Sequence, residues 1–388
     1  MRAIKNAHIL TMAGQEYESG CVTFDKVIRY VGDRLPEGSY ETVLDAKGAY
    51  LLPGLVDAHC HVGMFEDSLG FEGDDGNEDS DPITPQLRAI DALNPFDRAF
   101  SDAAKAGVTT VVTGPGSANP IGGQFAAVKT HGVCIDDMIV KAPAAMKLAL
   151  GENPKTVYHG KSQTPVTRMG TVAMIRETLE KAKEYQELWT EYKQAPEDND
   201  KPEFDSKLDA LLPVIRRELP VKIHAHRADD ICTAIRIAKE FDLDVTIEHC
   251  TDGEAVAEIL AREKVPIMLG PTLSDRSKPE LRSMSFSIYQ TLSSLGLDVA
   301  IITDHPEIPI EHLPLCAALA VKNGMDETLA LEAITIRAAK NCRIENRVGS
   351  IEVGKDADFC VYGTLPTRFG ADNLCTVIDG AIIYSSIK

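Results

Sequence analysis

PGLVDAHCHVG, residues 53–63, closes an apolar run with two histidines one residue apart, His59 and His61. In an extended segment, residues i and i+2 point to the same side. The two imidazoles can therefore converge on one metal ion at the carboxyl end of a strand. Two unrelated polar residues on a surface turn give the same pattern, so the interpretation depends on the rest of the chain.

Three further apolar runs end in side chains of the same kind. His224 ends VKIH, His249 ends VTIEH and Asp304 ends VAIITD. Strand-like runs of this sort alternate with helical stretches, which predicts parallel βα units with both sheet faces covered. In a (β/α)₈ barrel the carboxyl ends of the strands open on the face where active sites lie. Imidazoles and a carboxylate there predict a divalent-metal site for zinc, or for manganese, iron or cobalt.

The two ends of the chain differ from its middle. Both ends are predicted to form short strands separated by turns, whereas the middle alternates strands and helices. We predict an α/β fold with a barrel over residues 53–344 and a small β-sandwich domain assembled from residues 1–52 and 345–388. A chain of 388 residues accommodates one barrel and one smaller module.

The longest helical signal lies inside the barrel region. Apolar residues recur at three- and four-residue steps from Arg168 to Lys193, and the polar run QAPEDNDKPEFD (194–205) then breaks the pattern. A second short helix is predicted before Pro220. We assign this insertion to the connection between the fourth and fifth barrel strands.

Composition limits the partners. The formal net charge is −19, and such an acidic surface repels nucleic acid and anionic membranes. No window approaches the roughly 20 apolar residues of a membrane span, and the first residues lack a signal-peptide pattern. The cysteines are scattered without a C-x-x-C pair, so we expect buried, reduced thiols. We predict a cytoplasmic homo-oligomer that acts on a small-molecule substrate, with neither nucleic acid nor a membrane as partner.

Taken together, these motifs resemble the amidohydrolase superfamily, in particular its branch of imidazolonepropionase-like proteins and metal-dependent prolidases. The resemblance runs nearly from end to end, through PGLVDAHCH, the strand-end histidines, TDHP and the tail VGSIEVGKDADFCVYG with its closing VIDGAIIY. It implies a metal-dependent hydrolase acting on carbon–nitrogen bonds. The implied metal ligands are His59, His61, His224, His249 and Asp304.

Binuclear members of that superfamily carry a carboxylated lysine at the fourth strand end, which bridges two metals. Lys147, in AAMKLALGENP, matches this position best because it lies in an apolar, strand-like run before Gly151. Burial would lower the pKa of the lysine and favour the reactive free amine. A lysine that extends to the surface is the alternative. Glu152 is a rival ligand, and Lys141 is a weaker one.

Other polar residues are expected beside the ligands. His226 and Arg227 follow His224 in the same loop, and strand alternation turns His226 toward the pocket. We predict that His226, Arg227, Glu152 and His305 contact the substrate or support the ligands.

The predicted reaction is hydrolysis of an amide bond in a cyclic amide, an N-acyl amino acid or a dipeptide. A bound metal polarises the carbonyl and lowers the pKa of water, and Asp304, the predicted catalytic residue, moves the proton to the leaving nitrogen. A deaminase is a rival, although Arg227 stands where adenosine- and cytosine-type relatives have a glutamate. A lactonase of the same superfamily is another. A non-catalytic relative is expected to have lost ligands that this chain retains.

Overall fold

The computed structural model describes residues 1–66 and 69–387, and the strands of these residues form two eight-stranded sheets. In chain order the strands are β1 (Arg2–Leu10), β2 (Glu16–Phe24), β3 (Ile28–Gly32), β4 (Thr42–Asp45), β5 (Tyr50–Pro53), β6 (Leu55–Cys60), β7 (Val108–Thr113), β8 (Ile121–Lys129), β9 (Ile139–Ala149), β10 (Val221–Ala225), β11 (Val245–His249), β12 (Ile267–Leu269), β13 (Val299–Ile301), β14 (Phe359–Tyr362), β15 (Asn373–Ile378) and β16 (Ala381–Ser385).

The first sheet joins the two ends of the chain. Its order is β16-β15-β14-β5-β1-β2-β3, with β4 paired to β1. β5 pairs antiparallel with β14, which sets Leu51 opposite Val361. Side chains from both ends share one core, where the rings of Phe24 and Phe359 meet edge to face at 5.2 Å. The prediction of a β-rich module from both termini is confirmed, while the exact domain boundaries stay a prediction.

The second sheet is a nearly closed barrel whose strands follow one another in chain order from β6 to β13. Hydrogen bonds link its first and last strands at their carboxyl ends. Asp304 N donates to His59 O at 3.2 Å, and the buried carboxylate of Asp57 accepts from Thr303 N at 3.1 Å. The predicted barrel is confirmed, and these bonds fix the end of β6 beside the end of β13.

One barrel strand departs from the expected parallel order. β8 runs antiparallel to both of its neighbours, β7 and β9. The alternation of strand-like and helical stretches instead predicted parallel βα units throughout the barrel. Only residues 114–120 separate β7 from β8. A parallel crossover needs roughly a dozen residues or more, so this short, glycine- and proline-rich link reverses the chain.

Helices pack against the barrel. In chain order they are α1 (Arg98–Lys105), α2 (Ile135–Met138), α3 (Glu152–Gly160), α4 (Arg168–Gln194), α5 (Ser206–Ile215), α6 (Ala228–Phe241), α7 (Ala257–Glu263), α8 (Ser287–Ser294), α9 (Leu313–Lys322), α10 (Glu327–Ala333) and α11 (Ile336–Asn341). Short 3₁₀ helices lie at Gly70–Gly73, Ala89–Asp91, Gly253–Val256, Pro279–Leu281 and Ile310–His312. None of the described helices combines the length and apolar character that a membrane crossing needs.

α4 and α5 form the insertion between β9 and β10, the fourth and fifth barrel strands, as the sequence predicted. Thr167 Oγ1 accepts a hydrogen bond from Gly170 N and caps the start of α4. The helix ends at Gln194, where the predicted polar loop begins. Its buried stripe follows helical spacing and includes Val172, Ile175, Leu179 and Ala182.

A buried ion cluster joins the barrel to the terminal sheet. Lys129, the last residue of β8, places its Nζ 2.8 Å from Asp356 Oδ2, 2.5 Å from Asp358 Oδ2 and 3.4 Å from Asp379 Oδ1. Asp356 is also 2.8 Å from the guanidinium of Arg347. Burial alone would lower the pKa of Lys129, but the carboxylates, Asp358 foremost, outweigh it and raise the pKa. The ammonium therefore stays charged and paired.

Candidate metal centre

Two groups of metal-ligand side chains meet at the carboxyl end of the barrel. Within each group, one nitrogen or oxygen atom per residue lies within 4.8 Å of the others. The first group is His59, His61 and Asp304, and the second is His224, His226 and His249. The five residues that the resemblance implied as ligands are thus brought together at one end of the barrel, and His226 joins them.

The first group lies between the first and last strands of the barrel. Asp304 Oδ1 is 3.3 Å from His61 Nε2 and 3.5 Å from His59 Nε2. His61 Nδ1 lies 2.7 Å from Gly114 O. A carbonyl only accepts, so Nδ1 carries the proton and the Nε2 lone pair faces Asp304 and the cavity.

The second group lies between β10 and β11. The rings of His226 and His249 stack at 4.5 Å, and the ring of His224 is 4.4 Å from that of His249. His249 Nδ1 donates to Gly270 O at 2.8 Å, and His226 Nδ1 lies 2.8 Å from Thr251 Oγ1. Occupied Nδ1 atoms leave Nε2 free, which is the arrangement of histidine ligands to a metal.

Burial sets the protonation of these rings. It lowers the pKa of His59, His224 and His249 well below the usual value, and that of His226 to about 4. Neutral imidazole is the form that binds a metal. Burial alone would raise the pKa of Asp304, but His249 and His61 outweigh it and the net shift is downward. The groups therefore offer neutral nitrogens and an ionised carboxylate at neutral pH.

Lys147 is fully buried near the end of β9, and its Nζ lies 3.3 Å from His59 Nε2. Burial lowers its pKa to about 8. The side chain does not extend to the surface, so that alternative is excluded by its burial. Glu248 Oε2 lies 2.7 Å from His59 Nδ1 and 3.1 Å from Lys222 Nζ. A carboxylate in this position orients the ring so that Nε2 points toward the site.

Buried polar atoms in the site lack partners. Four of these atoms make no hydrogen bond to any described residue: both ring nitrogens of His224, Oε1 of Glu280 and Oδ1 of Asp304. Unpaired polar atoms are costly to bury, because they lose their hydration without compensation. His249 and Asp304 also hold backbone φ angles of 73° and 54°, a left-handed conformation that is strained for residues with side chains. The converging, unpartnered nitrogen and oxygen donors fit a divalent metal ion.

A cavity of about 420 Å³ opens over both groups. Its wall includes His61, His224, His226, His249 and Asp304. The loops above the barrel supply the remaining wall, with residues such as Phe65, Asn77, Asn153, Lys278 and Glu307. The volume suits a small-molecule substrate.

The other predicted site residues take different positions. Glu152 lines the cavity, and its Oε2 accepts from Glu280 N at 3.3 Å. His305 is buried and its Nδ1 accepts from Ile310 N at 3.2 Å. Arg227 is not brought into the cavity wall, because its guanidinium forms two hydrogen bonds with Asp229, each of 2.9 Å, at the start of α6.

Three residues of the site were not predicted from the sequence: Glu280, Glu248 and Lys222. Two of them carried a signal, because Lys222 stands two residues before His224 in VKIH. Such spacing sets both side chains on the same side of a strand, and Glu248 lies opposite His224 in the register of β10 and β11. Glu280 lies in a loop segment without periodicity, and nothing in its neighbourhood indicated the site.

Comparison with known proteins agrees with this architecture. The model of the amidohydrolase family matches residues 50–383. The solved structure of an amidohydrolase from Thermotoga maritima MSB8 superimposes with a TM-score of 0.95 and 39% identity, over 99% of this chain and 100% of that one. Amidohydrolase tasK of Hapsidospora irregularis is 32% identical over 362 residues, which cover 87% of this chain and 37% of tasK. Imidazolonepropionase of Pseudomonas fluorescens is 23% identical over 386 residues, 92% of each chain.

The fold and these relatives define a barrel hydrolase that acts on carbon–nitrogen bonds. The chain belongs to the amidohydrolase family. Enzymes of this family act on small molecules and typically depend on a metal, and the two ligand groups agree with that dependence. The predicted family and the predicted enzyme class are confirmed.

Proposed function

We propose that this enzyme hydrolyses an amide bond in a small substrate, either a cyclic amide, an N-acyl amino acid or a dipeptide, with zinc as its metal. The observation that carries the proposal is the convergence of two ligand groups beneath one cavity of small-molecule size. The cysteines are free thiols, which supports a cytoplasmic enzyme. We also propose that the enzyme is a homo-oligomer, and light scattering, which measures the mass of the assembly in solution, tests this.

His59, His61 and Asp304 would hold one ion, and His224 and His249 a second. We propose that Lys147, as a carbamate, bridges them. Its burial and its 3.3 Å contact with His59 Nε2 support this role. Glu152 is the rival bridge, but its Oε2 is engaged by Glu280 N.

The protein's own groups would bind and transfer the proton. A bound divalent metal supplies Lewis acidity, which polarises the scissile carbonyl and lowers the pKa of water. Asp304 stands at the cavity wall as an ionised carboxylate with an unpartnered Oδ1. It accepts a proton from the attacking water and delivers it to the leaving nitrogen, so one carboxylate serves both transfers in turn.

Elemental analysis and an activity screen test this function. Purified enzyme is expected to contain one or two zinc ions per chain and to hydrolyse at least one substrate among N-acyl amino acids, dipeptides and hydantoins. Lactones and aminated purines in the same screen test for a lactonase and a deaminase. Metal well below one ion per chain, with no hydrolysis of any amide, would overturn the proposal.

Lys147→Ala tests the bridge separately. The variant is expected to lose the second ion and most activity, with partial rescue by short-chain carboxylic acids. Glu152→Ala is the matched control for the rival bridge. If Glu152→Ala loses the second ion and Lys147→Ala keeps it, the bridge is Glu152.

A further inference from the structure

Glu280 is a buried carboxylate beside the second ligand group. It lies in the 3₁₀ helix Pro279–Leu281, between β12 and α8, and its side chain is 1% exposed. Its Oε1 is 3.7 Å from His224 Nε2 and 3.8 Å from His226 Nε2. This oxygen makes no hydrogen bond to any described residue. A buried carboxylate oxygen thus faces two imidazoles without a hydrogen bond of its own.

The loop around Glu280 holds the carboxylate in a fixed orientation. Glu152 N donates to Glu280 Oε2 at 3.2 Å, and Glu280 N donates to Glu152 Oε2 at 3.3 Å. Gly151 permits this approach, because a Cβ there would lie 3.1 Å from Glu280 Oε2 and its φ is +84°. The reciprocal pair engages Oε2 and leaves Oε1 turned toward the histidines.

Protein cations do not neutralise Glu280. Among the described residues, no lysine or arginine nitrogen is recorded within 4 Å of its carboxylate, and its ion-pair contacts are the two histidines. Lys278, two residues earlier, instead points its Nζ to within 3.4 Å of Asn153 Oδ1. An unpaired buried carboxylate costs several kcal/mol, of the order seen for isolated buried charges, so an ion in this space would stabilise it.

We infer that Glu280 and His226 join His224 and His249 as ligands of the second divalent metal. The inference rests on the proposed metal-dependent function and deepens it by completing the ligand set. Bonds of about 2.0–2.2 Å to an ion place neighbouring ligand atoms about 3.3–3.6 Å apart when four ligands surround it, and closer together when the proposed Lys147 carbamate is a fifth. The distances of 3.7 and 3.8 Å from Glu280 Oε1 to the two histidines lie just above the range for four ligands, and a small contraction around the ion removes the excess.

Charge balance gives Glu280 its importance. The first group contains the carboxylate of Asp304, whereas the second contains only imidazoles without Glu280. Glu280 supplies an anionic oxygen that belongs to the second ion alone, beside three nitrogen donors and in addition to the Lys147 carbamate that both ions would share. Asp304 and Glu280 thus provide one carboxylate for each ion.

Zinc stoichiometry and affinity in the full-length protein test this inference. Enzyme stripped by a chelator is titrated with Zn²⁺, and bound zinc is measured by elemental analysis and calorimetry. The wild type is expected to bind two ions, and Glu280→Gln and His226→Gln to bind one tightly. Because removing supporting groups alone weakens metal sites by about 10–100-fold, loss of a ligand should weaken the second site by at least about 100-fold.

Glu152→Gln is the matched control, because it makes the same change in the paired carboxylate outside the proposed ligand set. It should keep both ions. X-ray absorption spectroscopy of the zinc-loaded wild type tests the ligand set without mutation, because it counts the imidazole and carboxylate neighbours of the zinc ions. This measurement also covers the case in which Glu280→Gln does not fold.

The outcomes separate the two hypotheses. A Glu280→Gln variant that binds two ions with wild-type affinity overturns the inference and leaves the proposed function intact. The same holds if the wild type binds only the ion of the His59 group. A wild type that binds no zinc above trace overturns the proposed function itself.

Discussion

The cluster around Lys129, at the end of β8, and the two ligand groups, at the carboxyl end of the barrel, differ in how their polar atoms are paired. Around Lys129, the ammonium contacts three carboxylates, and Asp356 also meets Arg347. Around the ligand groups, His224 and Glu280 keep atoms without hydrogen bonds among the described residues. Lys129 and Asp358 are buried in the Lys129 cluster, as are His224 and Glu280 at the ligand groups.

The difference separates a structural cluster from a functional one. A saturated buried network fixes one arrangement of the chain, and here it ties the barrel to the terminal sheet. Several buried donors and acceptors left unpaired around one cavity call for a partner from outside the chain, such as an ion. The Lys129 cluster should therefore determine stability, and the ligand groups should determine activity and metal binding. Four substitutions test this division.

Asp304→Asn is expected to have the largest effect, on activity and on zinc binding at the His59 group rather than on stability. The amide cannot accept the proton of the attacking water, so kcat should fall by about 10²–10⁴-fold. The carboxylate oxygen Oδ1 has no hydrogen bond to lose, so thermal unfolding of the chelator-treated protein should change little. The measurements are turnover of the best amide substrate and the melting temperature. Full activity in the variant would assign proton transfer to another group.

Lys129→Met should act on stability instead. It leaves the buried carboxylate of Asp358 without its main partner, and breaking a buried pair in this way costs about 3–5 kcal/mol of unfolding free energy. Urea unfolding followed by circular dichroism measures the loss. Turnover per folded molecule should match the wild type at low temperature. A variant that is as stable as the wild type but inactive would reverse the assignment of the two clusters.

Much of the fold and of the candidate site could be predicted because both depend on local patterns. Strand alternation and strand ends identified His59, His224 and Asp304 before any tertiary contact was known. The insertion with α4 followed from helical spacing. These signals lie within a single strand or helix, and the barrel then brings the strand ends together.

What could not be predicted depends on contacts between distant segments. β8 runs antiparallel because its connection to β7 is short, and the length of that connection can be determined only once the strand boundaries are known. Glu280 reaches the site through its hydrogen bonds with Glu152, 128 residues away, which no sequence period encodes. Arg227 has the right spacing, but its local pairing with Asp229 turns it aside.

Glu248→Gln tests the comparison between paired and unpaired buried groups inside the site itself, because Glu248 is a paired carboxylate beside a proposed metal ligand. It contacts His59 Nδ1 and Lys222 Nζ, so it resembles the saturated cluster while it supports a ligand. Losing its charge should weaken zinc binding at the His59 group by about 10–100-fold. Competition titration with a coloured chelator measures the affinity. Unchanged zinc affinity would mean that Glu248 serves only to neutralise Lys222.

Arg176→Met sets the lower limit of the comparison. Arg176 Nε lies 2.8 Å from Glu240 Oε1, the same distance as from Lys129 Nζ to Asp356 Oδ2. However, the side chains of Arg176 and Glu240 are each more than a third exposed. Water screens an exposed pair and already solvates each charge, so the loss should be about 0.2–1 kcal/mol of unfolding free energy. The same urea titration as for Lys129→Met measures it, with methionine replacing a long cationic side chain in both variants. If the two variants lose equal stability, burial is not what makes the Lys129 cluster important, and the contrast between saturated and unsaturated buried groups loses its physical basis.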